Sequence, residues 1–69
     1  SDRADNQFLN RRTQELVGQV VTLDTAIVNG VGTVKIGDTV WRVEGPALEA
    51  GTQVKIETAD GARLRVGPA

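Results

Sequence analysis

Val31–Gly45 reads VGTVKIGDTVWRVEG: two short alternating runs with Gly37-Asp38 between them. A glycine-led pair between alternating runs favours a tight hairpin turn, with glycine supplying positive φ at the first central position. Centring the turn there sets Ile36 opposite Thr39, Val34 opposite Trp41 and Gly32 opposite Val43. Those six share one face. Lys35 with Val40, and Thr33 with Arg42, share the other. Side chains alternate faces along a strand, so the first set is expected to face the core and the second to face water. In this register Trp41 points inward, its bulk set to fill the room left by Gly32, unless a bulge reverses it.

Downstream, Glu44–Gly51 (EGPALEAG) ends the second run at Gly45-Pro46. Pro46–Ala50 is expected to form one helical turn, with proline at the permitted first position and Leu48 closing the barrel bottom. Thr52–Thr58 then alternates, with Val54 and Ile56 inward and Gln53, Lys55 and Glu57 outward. Arg63–Val66 matches it, with Leu64 and Val66 inward and both arginines outward. A two-residue Asp60-Gly61 turn would set Ile56 opposite Arg65 and mix the faces. A three-residue loop, Ala59-Asp60-Gly61, sets Ile56 opposite Leu64 and Val54 opposite Val66, with Gly61 left-handed. Face matching favours the longer loop.

Upstream, Leu16–Leu23 (LVGQVVTL) is read as the first strand. It is apolar on both parities, as expected of a strand that bends to serve both sides of a barrel's closure, with Gly18 as the bend. Asp24–Gly30 is read as a link, with Ile27 and Val28 plugging the barrel end and Asn29-Gly30 as a turn. Ser1–Arg12 is polar and is read as a flexible lead-in with a helical turn near its end; Phe8 and Leu9 are read as packing loosely on the barrel or staying solvated, with a place near a membrane surface as the alternative. The domain reading is a lead-in over residues 1–15 and a barrel over residues 16–69. Five short strands at close intervals, a long bent first strand and a short connector between strands three and four predict an all-β, five-stranded OB barrel. An SH3-like barrel is the alternative.

Composition narrows the chemistry. The chain has 69 residues, no cysteine, no histidine and a formal net charge of −1. Without His or Cys, a Ser–His or Cys–His pair is impossible. The one serine, Ser1, lies in the lead-in. Asp24, Asp38 and Asp60 fall in links or turns, where Asp is ordinarily structural. No spacing matches a calcium loop, and the softer metals would miss His and Cys. Gly30-Val31-Gly32 leads into a strand, so it lacks the helix N-terminus that holds a phosphate. No apolar run approaches the roughly 18 residues of a membrane span. The reading is therefore non-enzymatic, with no catalytic residue, cofactor or metal.

The outward set of the central hairpin, Thr33, Lys35, Val40 and Arg42, is the candidate partner surface. It has two cations and no ring. An oligonucleotide face needs stacking aromatics in a cationic groove, so nucleic acid is not expected there. An exposed apolar spot around Val40 and Val31 better suits a protein partner.

Leu16-Val17-Gly18, Ile27–Gly32, Gly37–Val43, Gly51–Val54 and Asp60–Val66 together resemble the C-terminal soluble domain of NfeD-like membrane proteins, in their short, protease-free branch. The resemblance covers Leu16 to Val66 and rests on the order of glycines around one tryptophan. It implies an OB barrel following transmembrane helices that lie outside this sequence, at the cell membrane and facing the cytoplasm. It also implies a stomatin, prohibitin or flotillin-type (SPFH) scaffold as partner, in membrane organisation or quality control. The family brings no catalytic residues to carry over, and Trp41 carries over only as a fold-signature position. The competing function is an OB module for single-stranded nucleic acid or oligosaccharide.

Overall fold

The computed structural model describes residues 13–69. The expected helical turn near Arg12, and the packing of Phe8 and Leu9, fall outside them. Five strands follow one another: β1 (Val20–Val28), β2 (Val31–Ile36), β3 (Thr39–Glu44), β4 (Gln53–Asp60) and β5 (Arg63–Pro68). They close into a barrel in the order β1-β2-β3-β5-β4, with β4 returning to β1. β3 and β5 run parallel and every other pair is antiparallel. This is the predicted five-stranded OB arrangement.

The barrel encloses Leu23, Ile27, Val34, Val43, Val54, Ile56, Leu64 and Val66, all buried. Leu16, Val21, Ile36, Trp41, Leu48 and Ala59 pack around them, partly covered. With β-branched and leucine side chains filling the inside, no large ring is needed to close a barrel this narrow.

The central hairpin has the predicted register at every pair from Ile36↔Thr39 to Gly32↔Val43. Gly37 takes φ 61°, as a glycine-first turn requires. Asn29 and Gly30 have φ 56° and 84°, a two-residue turn joining Val28 to Val31. Both backbone signals were local, so local residues sufficed to read them.

Four readings need correction. The first strand spans Val20–Val28, whereas Leu16–Leu23 was expected; Asp24–Val28 belongs to it, and residues 13–18 form a helical turn. The bend lies at two register shifts, between Leu23 and Thr25 and between Thr25 and Val28, whereas Gly18 precedes the strand. These shifts let one strand pair with β4 over Val20–Thr22 and with β2 beyond. The predicted service to both sides of the closure is therefore real, but bulges produce it. Val28 is exposed, and only Ile27 plugs the interior.

Secondly, the room at Gly32 belongs to Ile27. A Cβ on Gly32 would lie 2.8 Å from Ile27 Cγ1 and 2.9 Å from the Ala26 carbonyl oxygen. The second bulge of β1 presses its backbone onto β2 there, so only glycine fits. Trp41 has the predicted inward parity but is half-buried, at the rim beside Val34.

Thirdly, Pro46–Ala50 is not helical. Leu48 bridges Ile27, whose N–H donates to the Leu48 carbonyl at 2.9 Å. Gly51 N–H donates to the Leu23 carbonyl, and Leu23 N–H to the Thr52 carbonyl, each at 2.9 Å. The connector thus supplies β1 with the neighbour its second half would otherwise lack, a stronger demand than one isolated helical turn.

Fourthly, the last hairpin turns on Gly61-Ala62, between the pair Asp60↔Arg63. Ala59 opposes Leu64 and Ile56 opposes Val66, with a register shift between Ile56 and Thr58. Face matching was the right criterion, but the extra residue is Glu57 in mid-strand and not a third loop residue. Gly61 is left-handed at φ 63°, as expected.

Candidate interaction surface

The four predicted surface residues stand together. Thr33 opposes Arg42 and Lys35 opposes Val40, as neighbours on the outer face of β2–β3. Lys35, Val40 and Arg42 are exposed and Thr33 is partly covered. The Thr33 hydroxyl lies 2.8 Å from that of Thr25 on β1, which extends the polar face by one strand.

The barrel adds residues that the hairpin alone did not reveal. Because β5 lies parallel to β3, with Glu44 beside Arg65, both β5 arginines join the same outer face. Arg63 Nε sits 3.5 Å from a Glu44 carboxylate oxygen. Arg42, Glu44, Ala62 and Arg63 line a shallow cavity of about 360 Å³ between the two strands. Lys35, Arg42, Arg63 and Arg65 therefore share one side of a chain whose net charge is −1; the remaining described cation, Lys55, is on β4. The acids among them are Glu44 and, opposite Arg63, Asp60. The signal in the sequence was the outward parity of Arg63 and Arg65. What it lacked was the crossover that makes β3 and β5 neighbours.

A second depression, about 260 Å³, is lined by Ala26, Ile27, Ala47, Leu48 and Glu49 where the connector crosses β1. Among the described residues, no three His, Cys, Asp or Glu side chains are grouped as a metal site would need. Among the described residues, no aromatic ring stands on the outer face of β2–β3, since Trp41 has the opposite parity.

A small closed barrel with an apolar inside and a polar, cation-bearing outer face defines a binding module. Residues 13–68 match the family described as NfeD-like C-terminal, partner-binding domain, and the chain belongs to that family. The chain is 37% identical over 62 residues to the inner membrane protein YbbJ of Escherichia coli (strain K12), covering 88% of this chain and 41% of that protein. It thus spans well under half the length of that relative. Among solved structures it is similar to the C-terminal domain of stomatin operon partner protein 1510-C from Pyrococcus horikoshii, with TM-score 0.66 and 25% identity over 77% of this chain and 86% of that one. It shares its fold with the soluble domain of a Corynebacterium glutamicum membrane protein implicated in regulation of membrane protease activity. There the TM-score is 0.71 and the identity 17%, over 80% and 94% of the two chains.

Proposed function

We propose that this barrel is the non-enzymatic interaction domain of a membrane-anchored NfeD-like protein, and that its partner is a stomatin, prohibitin or flotillin-type scaffold. The observation that carries the reading is the match of residues 13–68 to a partner-binding family. It gains support from the relative named as a stomatin operon partner and from the one named as an inner membrane protein. On this reading, residues 1–15 lead from membrane helices to a barrel on the cytoplasmic side. The face carrying Thr33, Lys35, Val40 and Arg42 meets the scaffold, and the domain takes part in membrane organisation or quality control.

The test is co-purification of the anchored protein with its membrane scaffold, with and without this barrel. Capture that depends on the barrel is the expected result. No association of the barrel, alone or with its anchor, would overturn the reading. The cationic face favours one competitor, an oligonucleotide, so a fluorescence titration with single-stranded DNA from low to physiological salt belongs beside it. Nonspecific contacts usually lie near 10⁻⁴–10⁻⁶ M at physiological salt and tighten as salt falls, so salt-sensitive binding that stays tighter than about 1 μM at physiological salt would favour the competitor.

A further inference from the structure

A strand edge left open invites another strand, and folded proteins normally cover or charge it. Most edges of this barrel are covered. The helical turn of residues 13–18 and Gln19 lie along β4: Gly18 N–H donates to the Ile56 carbonyl at 2.7 Å and Ile56 N–H to the Gln19 carbonyl at 2.9 Å. Gln14 Nε2 donates to the Ala59 carbonyl at 2.9 Å, and the Thr13 hydroxyl to the Gly61 carbonyl at 2.7 Å. The connector covers β1 through Leu48 and Thr52.

β3 differs. β5 meets it only at Val43↔Leu64 and Glu44↔Arg65. From Thr39 to Trp41 the side of β3 away from β2 has no strand neighbour among the described residues. The turn makes Ile36 and Thr39 a hydrogen-bonded pair. The antiparallel alternation then points the N–H and C=O of Trp41 and Val43 at β2, and those of Val40, Arg42 and Glu44 the other way. Glu44 meets β5; Val40 has no strand partner on that side among the described residues. Its side chain, 56% exposed, lies between Lys35 across the ladder and Arg42 two residues along.

We propose that the outer edge of β3 at Val40 takes an extended acidic segment of a protein partner by strand addition. This rests on the interaction-domain reading above and adds the chemistry of the partner. Backbone groups at an edge give affinity, and alternate side chains give specificity. On the outer face, the added residue beside Val40 would be apolar. The one two positions along, beside Arg42 and near Arg63, would be acidic. A second copy is a separate outcome of the test, read from protection that rises with protein concentration. An anionic lipid surface uses no strand edge, and Glu44 stands within the patch.

The experiment follows backbone amides of the 69-residue chain by NMR at low ionic strength. The probe is a capped heptapeptide in which glutamate, valine and glutamate alternate with threonine. The expected result is shifts centred on Val40 and Arg42, and slower hydrogen exchange at the Val40 amide once peptide is bound. Lysine in place of both glutamates should weaken binding about tenfold. The double variant Lys35→Glu, Arg42→Glu should reverse that preference; both residues are exposed, so the fold should hold. A Val40 amide already protected in the free chain would overturn the proposal. So would protection that rises with protein concentration alone, or binding to phosphatidylglycerol vesicles but not to peptide. Scaffold capture that ignores the charge reversal would overturn this inference and leave the interaction-domain reading standing. Peptide binding without any scaffold capture would do the opposite.

Discussion

The two long hairpins begin alike and end differently. β2–β3 and β4–β5 both turn on two residues, and both lead with a left-handed glycine, Gly37 at φ 61° and Gly61 at φ 63°. The first ladder then runs without a fault for six pairs, while the second shifts register after three. The first leaves the tip half-exposed, with Ile36 and Trp41 only partly covered and Val40 in solvent. The second buries Val54, Ile56, Leu64 and Val66 completely. A turn sets where a ladder starts. A core that must be filled on one parity can reset it further along, and the cost is one unpaired residue, Glu57. In the first hairpin the turn already sets Val34 and Val43 inward, so nothing forces a reset.

The sharpest break of that comparison lies in the core. Ile56→Ala should destabilise the barrel by about 3 kcal/mol, the middle of the range for a fully buried Ile. Ile36→Ala, at the half-covered tip, should cost less than half as much. Equal midpoint shifts in urea would mean that the tip is as well packed as the barrel. Next comes the base of the first hairpin. Gly32→Ala forces a methyl against Ile27 and the Ala26 carbonyl, so a loss of about 2 kcal/mol is expected. Ile27→Val in the same chain should recover little of it, because the carbonyl contact remains.

The turns themselves should respond alike. Gly37→Ala meets open space but needs positive φ, and Gly61→Ala needs the same positive φ, so each should cost about 1 kcal/mol. A thermal melt showing loss at one turn and none at the other would show that the shared turn geometry is wrong. The smallest effect belongs to the bridge between the hairpins. Glu44→Gln removes an ion pair whose Arg63 side chain is 75% exposed, and stability should change by less than about 0.5 kcal/mol. A larger loss would mean that this pair, and not only the ladder, holds β3 to β5.

The candidate surface divides along the same line. Thr33, Lys35, Val40 and Arg42 were legible together because a two-residue turn and strict alternation place them without reference to anything else. Arg63 and Arg65 had the right parity but no address. Only the parallel pairing of β5 with β3, across the intervening connector and β4, brings them beside Arg42.

Alternation and short-range turn signals determined by themselves that this chain has five strands, which side chains of the last four face inward, and where two of its turns fall, at Asn29-Gly30 and Gly37-Asp38. The extent of the first strand, the course of Pro46–Ala50 and the bulge at Glu57 were decided in the tertiary structure. Each answers a demand made from a distance. Closing a narrow barrel requires β1 to hydrogen-bond β4 with one half and β2 with the other, and requires Leu48 to cover what β2 does not. β4 and Leu48 lie far along the chain from β1, and no window of local sequence contains them together with it.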